Sequence, residues 1–240
     1  SSVASSTATG GGAATDILYL LPTGDAVPTQ GLGFGASVWG EGTWDTPRTT
    51  SNITLDAALW SFAVWGEDLV ACRRGGLLYH WDASAGEGTR SAVISGAPAT
   101  NLFVMASSPD RHIISFGAHD GSNSDPMLIA WASQETLTTW TASATNTAGN
   151  QRLHIGDRLI AQVQTKEQTL IWTNQALFGM VFSGPPFIFT FRTLATGSAP
   201  LGQNAAIDVD GVVYWMSKDN FHVYNGRSQI IPSPVRDFVF

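Results

Sequence analysis

Residues 156–182 read GDRLIAQVQTKEQTLIWTNQALFGMVF: three apolar stretches, LIAQV, TLIW and ALFGMVF, separated by the polar links QTKEQ and TNQ. Gly, Pro and β-branched runs deny a 3.6-residue period to every window of a dozen residues along the chain, which nearly excludes helices. The stretches are therefore expected to be consecutive antiparallel strands, with Lys166-Glu167 at a hairpin tip. No group of obvious catalytic chemistry lies among them.

The plan recurs along the chain. LWSFAVWGEDLVACRRGGLLYHWDAS, from Leu59, gives three strands around turns at Gly66-Glu67-Asp68 and Arg73 to Gly76. Residues 101–133 repeat it with a turn at Ser107 to Asp110 and a longer loop from His119 to Pro126. AAIDVDGVVYWMSKDNFHVYNGRSQII, from Ala205, repeats it again with turns at Asp210-Gly211, Lys218 to Asn220 and Asn225-Gly226. In each unit an apolar strand ends in Trp followed by turn-forming polar residues: YHWDAS, IAWASQ, LIWTNQ and VYWMSK. These tryptophans, Trp81, Trp131, Trp172 and Trp215, are 50, 41 and 43 residues apart, a period that fits blades of about four short strands.

The expected fold class is all-β and β-propeller-like, with about four or more blades of short antiparallel strands; an evenly spaced β-sandwich is the alternative. The repeats are placed at about 54–98, 99–150, 151–202 and 203–240, after an irregular Gly/Thr-rich N-terminal arm, 1–52, that holds one short strand in DILYLLP, 16–22. The arm's first fifteen residues are small and polar, so the arm is expected to be flexible or ordered by a partner. The four tryptophans are expected at equivalent positions on equivalent strands, well buried.

Composition agrees and limits function. At 240 residues the chain can bury a large core without metal or disulfide; charged residues make up 13%, while 25 Gly, 9 Trp and 12 Phe suit turns and aromatic strands. The formal charge of -7 argues against gripping nucleic acid through its phosphates. Cys72 is the single cysteine, which excludes an internal disulfide and a cysteine-based zinc site. No apolar run reaches membrane-spanning length, and SSVASSTATGGGAAT lacks the basic start and apolar middle of a signal peptide.

The search for chemistry returns little. No G-x-S-x-G is present, and His80, His112, His119, His154 and His222 show no metal-binding spacing. The segment 120–125, DGSNSD, has oxygen-bearing side chains but no closing Glu for a calcium loop. GLGFGA, 31–36, lacks the strand and helix of a phosphate loop, and the sequon Asn52-Ile53-Thr54 bears only on a secreted chain. Arg73-Arg74 beside Cys72 would lower a thiol pKa, although a buried Cys next to a basic hairpin tip is the ordinary account. Asp68, Asp110, Asp157 and Asp210 recur near turns, where Asp hydrogen-bonds its own backbone. No catalytic, cofactor-binding or metal residue is assigned, and the chain is expected not to be an enzyme.

Four phrases together, LWSFAVWGEDLVACRRGGLLYHWD (59–82), LTTWTASATNTAGNQRL (137–153), GDRLIAQVQTKEQTLIWTNQALFGMVFSGPPFIFTFRTL (156–194) and GVVYWMSKDNFHVYNG (211–226), resemble the propeller-containing tail proteins of short-tailed bacteriophages: tail nozzle, tail hub or packaged-DNA stabilisation proteins. The likeness covers about 55–240, and the N-terminal 50 residues match only loosely. It implies a structural virion protein of the tail that surrounds and seals the DNA exit channel and is assembled in the host bacterial cytoplasm. The implied partners are further copies in a ring-shaped homo-oligomer, the portal/adaptor and other tail proteins, and packaged DNA passing without sequence-specific binding; no membrane insertion and no cofactor are implied. The rival reading is a carbohydrate-binding or glycan-cleaving propeller at a phage or bacterial surface, suggested by nine tryptophans able to stack on sugars. The chain begins at Ser1 and ends on the apolar run of SQIIPSPVRDFVF, so it is expected to belong to a longer polypeptide or to receive missing strands from another segment.

Overall fold

The computed structural model describes the backbone at 3–4 and 17–18 and residues 59–108, 110–119 and 121–240. The chain forms two units, Ser1–Ala58 and Leu59–Phe240. In the first, β1 (Val3–Ala4) pairs antiparallel with β2 (Ile17–Leu18), inside the strand expected at 16–22. The remainder of the expected arm, with GLGFGA and the Asn52 sequon, lies outside the described residues.

The second unit holds four antiparallel sheets of four strands each, every sheet built from strands consecutive in the chain. Sheet 1 contains β3 (Trp60–Trp65), β4 (Asp68–Arg73), β5 (Leu78–Trp81) and β6 (Ala92–Val93). Sheet 2 contains β7 (Phe103–Ser107), β8 (His112–Phe116), β9 (Leu128–Trp131) and β10 (Gly149–Arg152). Sheet 3 contains β11 (Leu159–Gln164), β12 (Thr169–Thr173), β13 (Ala176–Phe182) and β14 (Phe189–Thr196). Sheet 4 contains β15 (Ala206–Val209), β16 (Val212–Met216), β17 (Phe221–Tyr224) and β18 (Ser228–Ile231). Among the described residues helix is confined to a 3-10 turn at Ala83–Ala85 and to α1 (Arg236–Val239).

Local chemistry sets the hairpins. Val209 pairs with Val212 across Asp210-Gly211, whose φ values of 53 and 88° are the left-handed pair that a tight hairpin needs to match strand twist. At the tip of Lys166-Glu167, the Thr165 amide donates to the Gln168 carbonyl (2.9 Å), which aligns β11 with β12. The first hairpin is tighter than expected: Asp68 already pairs with Trp65, leaving Gly66-Glu67 as the turn.

Successive sheets pack face to face through three apolar clusters. Sheets 1 and 2 share Ala63, Val70, Cys72 and Leu78 with Val104, Ile113, Leu128 and Ala130. Sheets 2 and 3 share Phe103, Met105, Phe116 and Trp131 with Ile171, Phe178, Met180 and Phe189. Sheets 3 and 4 share Ala161, Leu170, Trp172 and Leu177 with Val213, Trp215 and Tyr224. Among the described residues no such cluster joins sheet 4 to sheet 1. First strands lie beside first strands, β3 against β7 and β11 against β15, and the Val104 amide donates to Ser61 Oγ (3.0 Å) from β7 to β3. This is the architecture of a propeller.

The four tryptophans, however, divide into two pairs. Trp81 and Trp131 end the third strands of sheets 1 and 2, and each donates its Nε1–H to a carbonyl in the connection to the outer strand, Thr89 O at 2.9 Å and Thr147 O at 3.0 Å. Trp172 and Trp215 lie in the second strands of sheets 3 and 4, opposite Ala161 and Ala206 of the first strands. The even spacing thus spans two registers. Trp81 is half-buried, in contrast to the other three. The aspartates show a similar slip: Asp68, Asp110 and Asp210 flank the first hairpin of their sheets, whereas Asp157 precedes the first strand of sheet 3. Strand β10 runs across the repeat boundary expected at 150/151.

Candidate functional site

The first strands of all four sheets line one cavity of about 390 Å³. Its wall carries Phe62 and Val64 from β3, Val104 and Ala106 from β7, Gln162 and Gln164 from β11, and Ile207 and Asp208 from β15. Strand alternation puts every second side chain of an inner strand on each face, and apolar types dominate both faces here. Asp208 is the one charged lining residue among the described residues. Its Oδ1 and the Oε1 of Gln162 are buried acceptors without a protein donor among the described residues. Among the described residues no Lys or Arg lines the cavity.

A second cavity, about 200 Å³, lies between sheets 2 and 3 under the tip of Lys166-Glu167, with Ser107 and Asp110 on one side and Phe182 and Phe189 below. Beneath Ser107, its cross-strand partner His112 is fully buried. His112 Nδ1–H donates to the Ala132 carbonyl (2.7 Å), the ring meets Phe189 edge-on at 5.3 Å, and Nε2 finds no partner among the described residues. Burial pushes its pKa below the ordinary value, against opposing pulls from the Ala132 carbonyl and Asp110. The ring is a neutral packing element. Gln168, beside the same tip, donates to the Tyr224 hydroxyl (3.0 Å) and accepts from Arg192 Nη2 (2.9 Å), tying sheet 3 to sheet 4.

The remaining residues singled out by type are dispersed. His80 Nε2 meets Asp68 Oδ2 at 2.9 Å, and Asp68 Oδ1 also accepts the Ala83 amide (3.1 Å). His119 Nδ1 accepts from the Gly121 amide, and His154 lies edge-on to Phe178. In the 120–125 loop Asp120 lies outside the described residues, while Asp125 is occupied by the Met127 amide (2.9 Å) and Arg152 Nε (2.7 Å). Asp110 accepts from Ser107 Oγ, and Asp157 from Asn174 Nδ2. The Cys72 thiol is pushed up to about 12 by burial, with Ser61 opposing, so Arg73-Arg74 do not activate it. Among the described residues no group of three or more His, Cys, Asp or Glu is placed to hold a metal ion, and no helix is long and apolar enough to cross a membrane.

Two arrangements escape a reading by residue type. Ser217 and His222 meet at 3.0 Å across the turn Lys218 to Asn220, with His222 stacked on Trp215 at 5.2 Å and 11°. Ser217 Oγ donates to the Asn220 carbonyl (2.9 Å), and with the hydroxyl so directed its contact with His222 Nε2 is one in which the imidazole donates. Burial lowers the His222 pKa. The second is Asn101, fully buried, whose Nδ2 donates to Gly76 O and Pro98 O (2.9 Å each) while its Oδ1 accepts from Ser115 Oγ. It welds a hairpin of sheet 1 onto sheet 2. No sequence motif announces either.

No protein-family model and no curated protein matches the chain. Solved structures do. The chain is similar to the computationally designed Ika4 protein (14% identity, TM-score 0.43, 68% of this chain and 88% of that one). It is similar to BamB from Moraxella catarrhalis (14%, TM-score 0.43, 70% and 47%). It is also similar to the extracellular domain of the putative hybrid two-component system BT4673 from B. thetaiotaomicron (13%, TM-score 0.49, 73% and 22%). The chain thus spans under half the length of the last two. The fold is all-β and propeller-like.

Proposed function

We propose that this chain is a structural part of a bacteriophage tail, in the portion that surrounds the DNA exit channel. The observation that carries the reading is the exposed apolar surface on the first strands of sheets 1 and 4, with Phe62 at 60% and Ile207 at 62% exposure. Exposed apolar surface of this extent marks a part made for assembly. The resemblance to tail proteins of short-tailed phages supplies the kind of assembly, and its four phrases cover strands in all four sheets. Polar side chains that would otherwise suggest chemistry are engaged in turns and sheet junctions: Ser217, Asn101, Asp68 and Asp125. A formal charge of -7 suits a wall past which DNA moves without being held.

The test is direct imaging of phage particles that carry the chain, with mass spectrometry of the purified particles. Density for the four sheets around the tail channel is expected. Absence of the chain from particles overturns the proposal. A glycan array decides the rival: Trp60, Phe62 and Tyr79 form an aromatic group on sheet 1, with Trp60 and Phe62 stacked at 6.2 Å, and saturable sugar binding abolished by Trp60→Ala replaces the tail reading with a carbohydrate-binding one.

A further inference from the structure

The junction of sheets 2 and 3 changes character at one end. Along most of its length it is apolar, with Met105 and Ile114 of sheet 2 facing Phe178 and Met180 of sheet 3. Two residues further along the same faces, strand alternation brings the cross-strand pair Ser107 and His112 on sheet 2 opposite the pair Phe182 and Phe189 on sheet 3. Thr169 pairs with Met180 and shares its face. Ser107, His112 and Thr169 are all buried, so polar side chains close an otherwise apolar junction. The cavity of about 200 Å³ opens beside them, with Ser107 and Thr169 on its wall.

This wall offers acceptors and negative charge. Ser107 Oγ donates to Asp110 Oδ2 (2.9 Å), Thr165 Oγ1 to the Gln168 carbonyl (2.7 Å) and Gln168 Nε2 to the Tyr224 hydroxyl (3.0 Å), so these three donors are spent inside the protein. Asp110 Oδ1 has no donor among the described residues. On the wall Asp110 and Glu167 stand against Lys166 alone, and none of the three forms an ion pair among the described residues. The floor is aromatic: Phe182 and Phe189 meet at 70° with centroids 5.7 Å apart, and His112 joins them at 5.9 and 5.3 Å. Behind that floor the unpartnered Nε2 of His112 adds one more acceptor, and Asp110 is near enough to act on the ring electrostatically.

We propose that this cavity binds a small organic cation, a primary ammonium on a short apolar body, with the ammonium donating to Asp110 Oδ1 and the body lying on Phe182 and Phe189. A carboxylate beside aromatic faces recognises such a cation twice, once through a charge-assisted hydrogen bond and once through the negative faces of the rings. A neutral polyol needs donors as well as acceptors, and three of the wall's donors are turned inward. Size sets the body. An apolar cavity of about 150 Å³ takes benzene, so one of about 200 Å³ has room for a benzene ring carrying an aminomethyl group. The site is built from sheets 2 and 3 and goes beyond the tail reading without depending on it: ligand binding is a property of the purified chain wherever the protein works.

The experiment titrates benzylamine into the full chain at neutral pH and follows amide and imidazole nitrogens by NMR. Saturable shifts are expected at Ser107, Thr169 and the His112 ring, with a Kd of about 1 mM or tighter. Benzyl alcohol, the uncharged molecule of nearly the same shape, should bind at least about tenfold more weakly. Asp110→Asn, which keeps an acceptor for Ser107 Oγ, should weaken benzylamine binding by about tenfold. Lys166→Ala, at an exposed tip residue, should tighten it about twofold, and this variant tests the charge whether or not the Asp110 variant folds. The proposal is overturned if benzylamine gives no saturable shifts at these residues, or if benzyl alcohol or glucose binds there as tightly. Unchanged affinity in a folded Asp110→Asn chain, or weaker binding in Lys166→Ala, overturns it as well.

Discussion

The indoles of Trp172 and Trp215 meet across the junction of sheets 3 and 4 with centroids 5.3 Å apart and planes at 59°. They differ in one respect. Trp215 Nε1 donates to the Ser198 carbonyl (2.7 Å), whereas the buried Trp172 Nε1 has no acceptor among the described residues. Trp215→Phe therefore removes a hydrogen bond and leaves a carbonyl unmatched, while Trp172→Phe removes an orphan donor. Denaturant unfolding should show the Trp215 variant to be the less stable by about 1 kcal/mol. Trp172→Ala, which empties the junction, should cost about 3–5 kcal/mol, and Trp81→Ala clearly less. Equal costs at Trp81 and Trp172 would contradict the division into two registers.

Asn101 makes two donations and one acceptance inside the junction of sheets 1 and 2. Asn101→Ala leaves two part-buried carbonyls and the Ser115 hydroxyl without this partner, at a cost of about 3 kcal/mol. Asn101→Asp should be at least as damaging, since it turns a donor toward Gly76 O into an acceptor. Urea midpoints of the two variants test this.

His112 sets a pH dependence. Burial lowers its folded pKa below the unfolded value of about 6.5, so the unfolded chain binds the extra proton first. Its contribution to stability is fully present above about pH 6.5 and is lost as the pH falls toward the folded pKa; His222 adds in the same direction. Unfolding midpoints should drop between pH 7 and pH 5, and His112→Phe should flatten the drop. An undiminished slope in that variant would assign the effect elsewhere.

Cys72, with its thiol pushed up to about 12, is nearly all protonated at pH 8. A thiol reagent should modify it at the rate of unfolding, and fast modification in native buffer would show that sheet 1 opens on its own.

How much of this was legible beforehand follows from what each residue type encodes. LIAQV, TLIW and ALFGMVF fall on β11, β12 and β13 because short apolar runs bounded by turn-forming residues are local properties. The equivalence of the tryptophans was not legible, since a Trp before a polar turn has the same sequence neighbourhood whether it closes a third strand, as Trp131 does, or fills a junction from a second strand, as Trp172 does. Only the partner across the sheet separates the cases, Gly149 opposite Trp131 and Ala161 opposite Trp172. The acceptor pair Gln162 and Asp208 and the Asn101 weld were silent for the same reason: each depends on which strands become neighbours, and neither residue carries that information.

The three apolar clusters are strung in a line, each touching only the sheets on either side of it. Cohesion then passes from neighbour to neighbour, as in a stack held only between adjacent plates. Sheets 2 and 3, gripped on both faces, are the last to let go, and the end sheets the first; amide exchange should rank the strands accordingly, slowest at Ile114 and Ile171 and fastest at Ile207. A load applied between the two ends would peel this chain in sequence, and any contact that capped both ends at once would convert a gradient of local openings into a single all-or-none event.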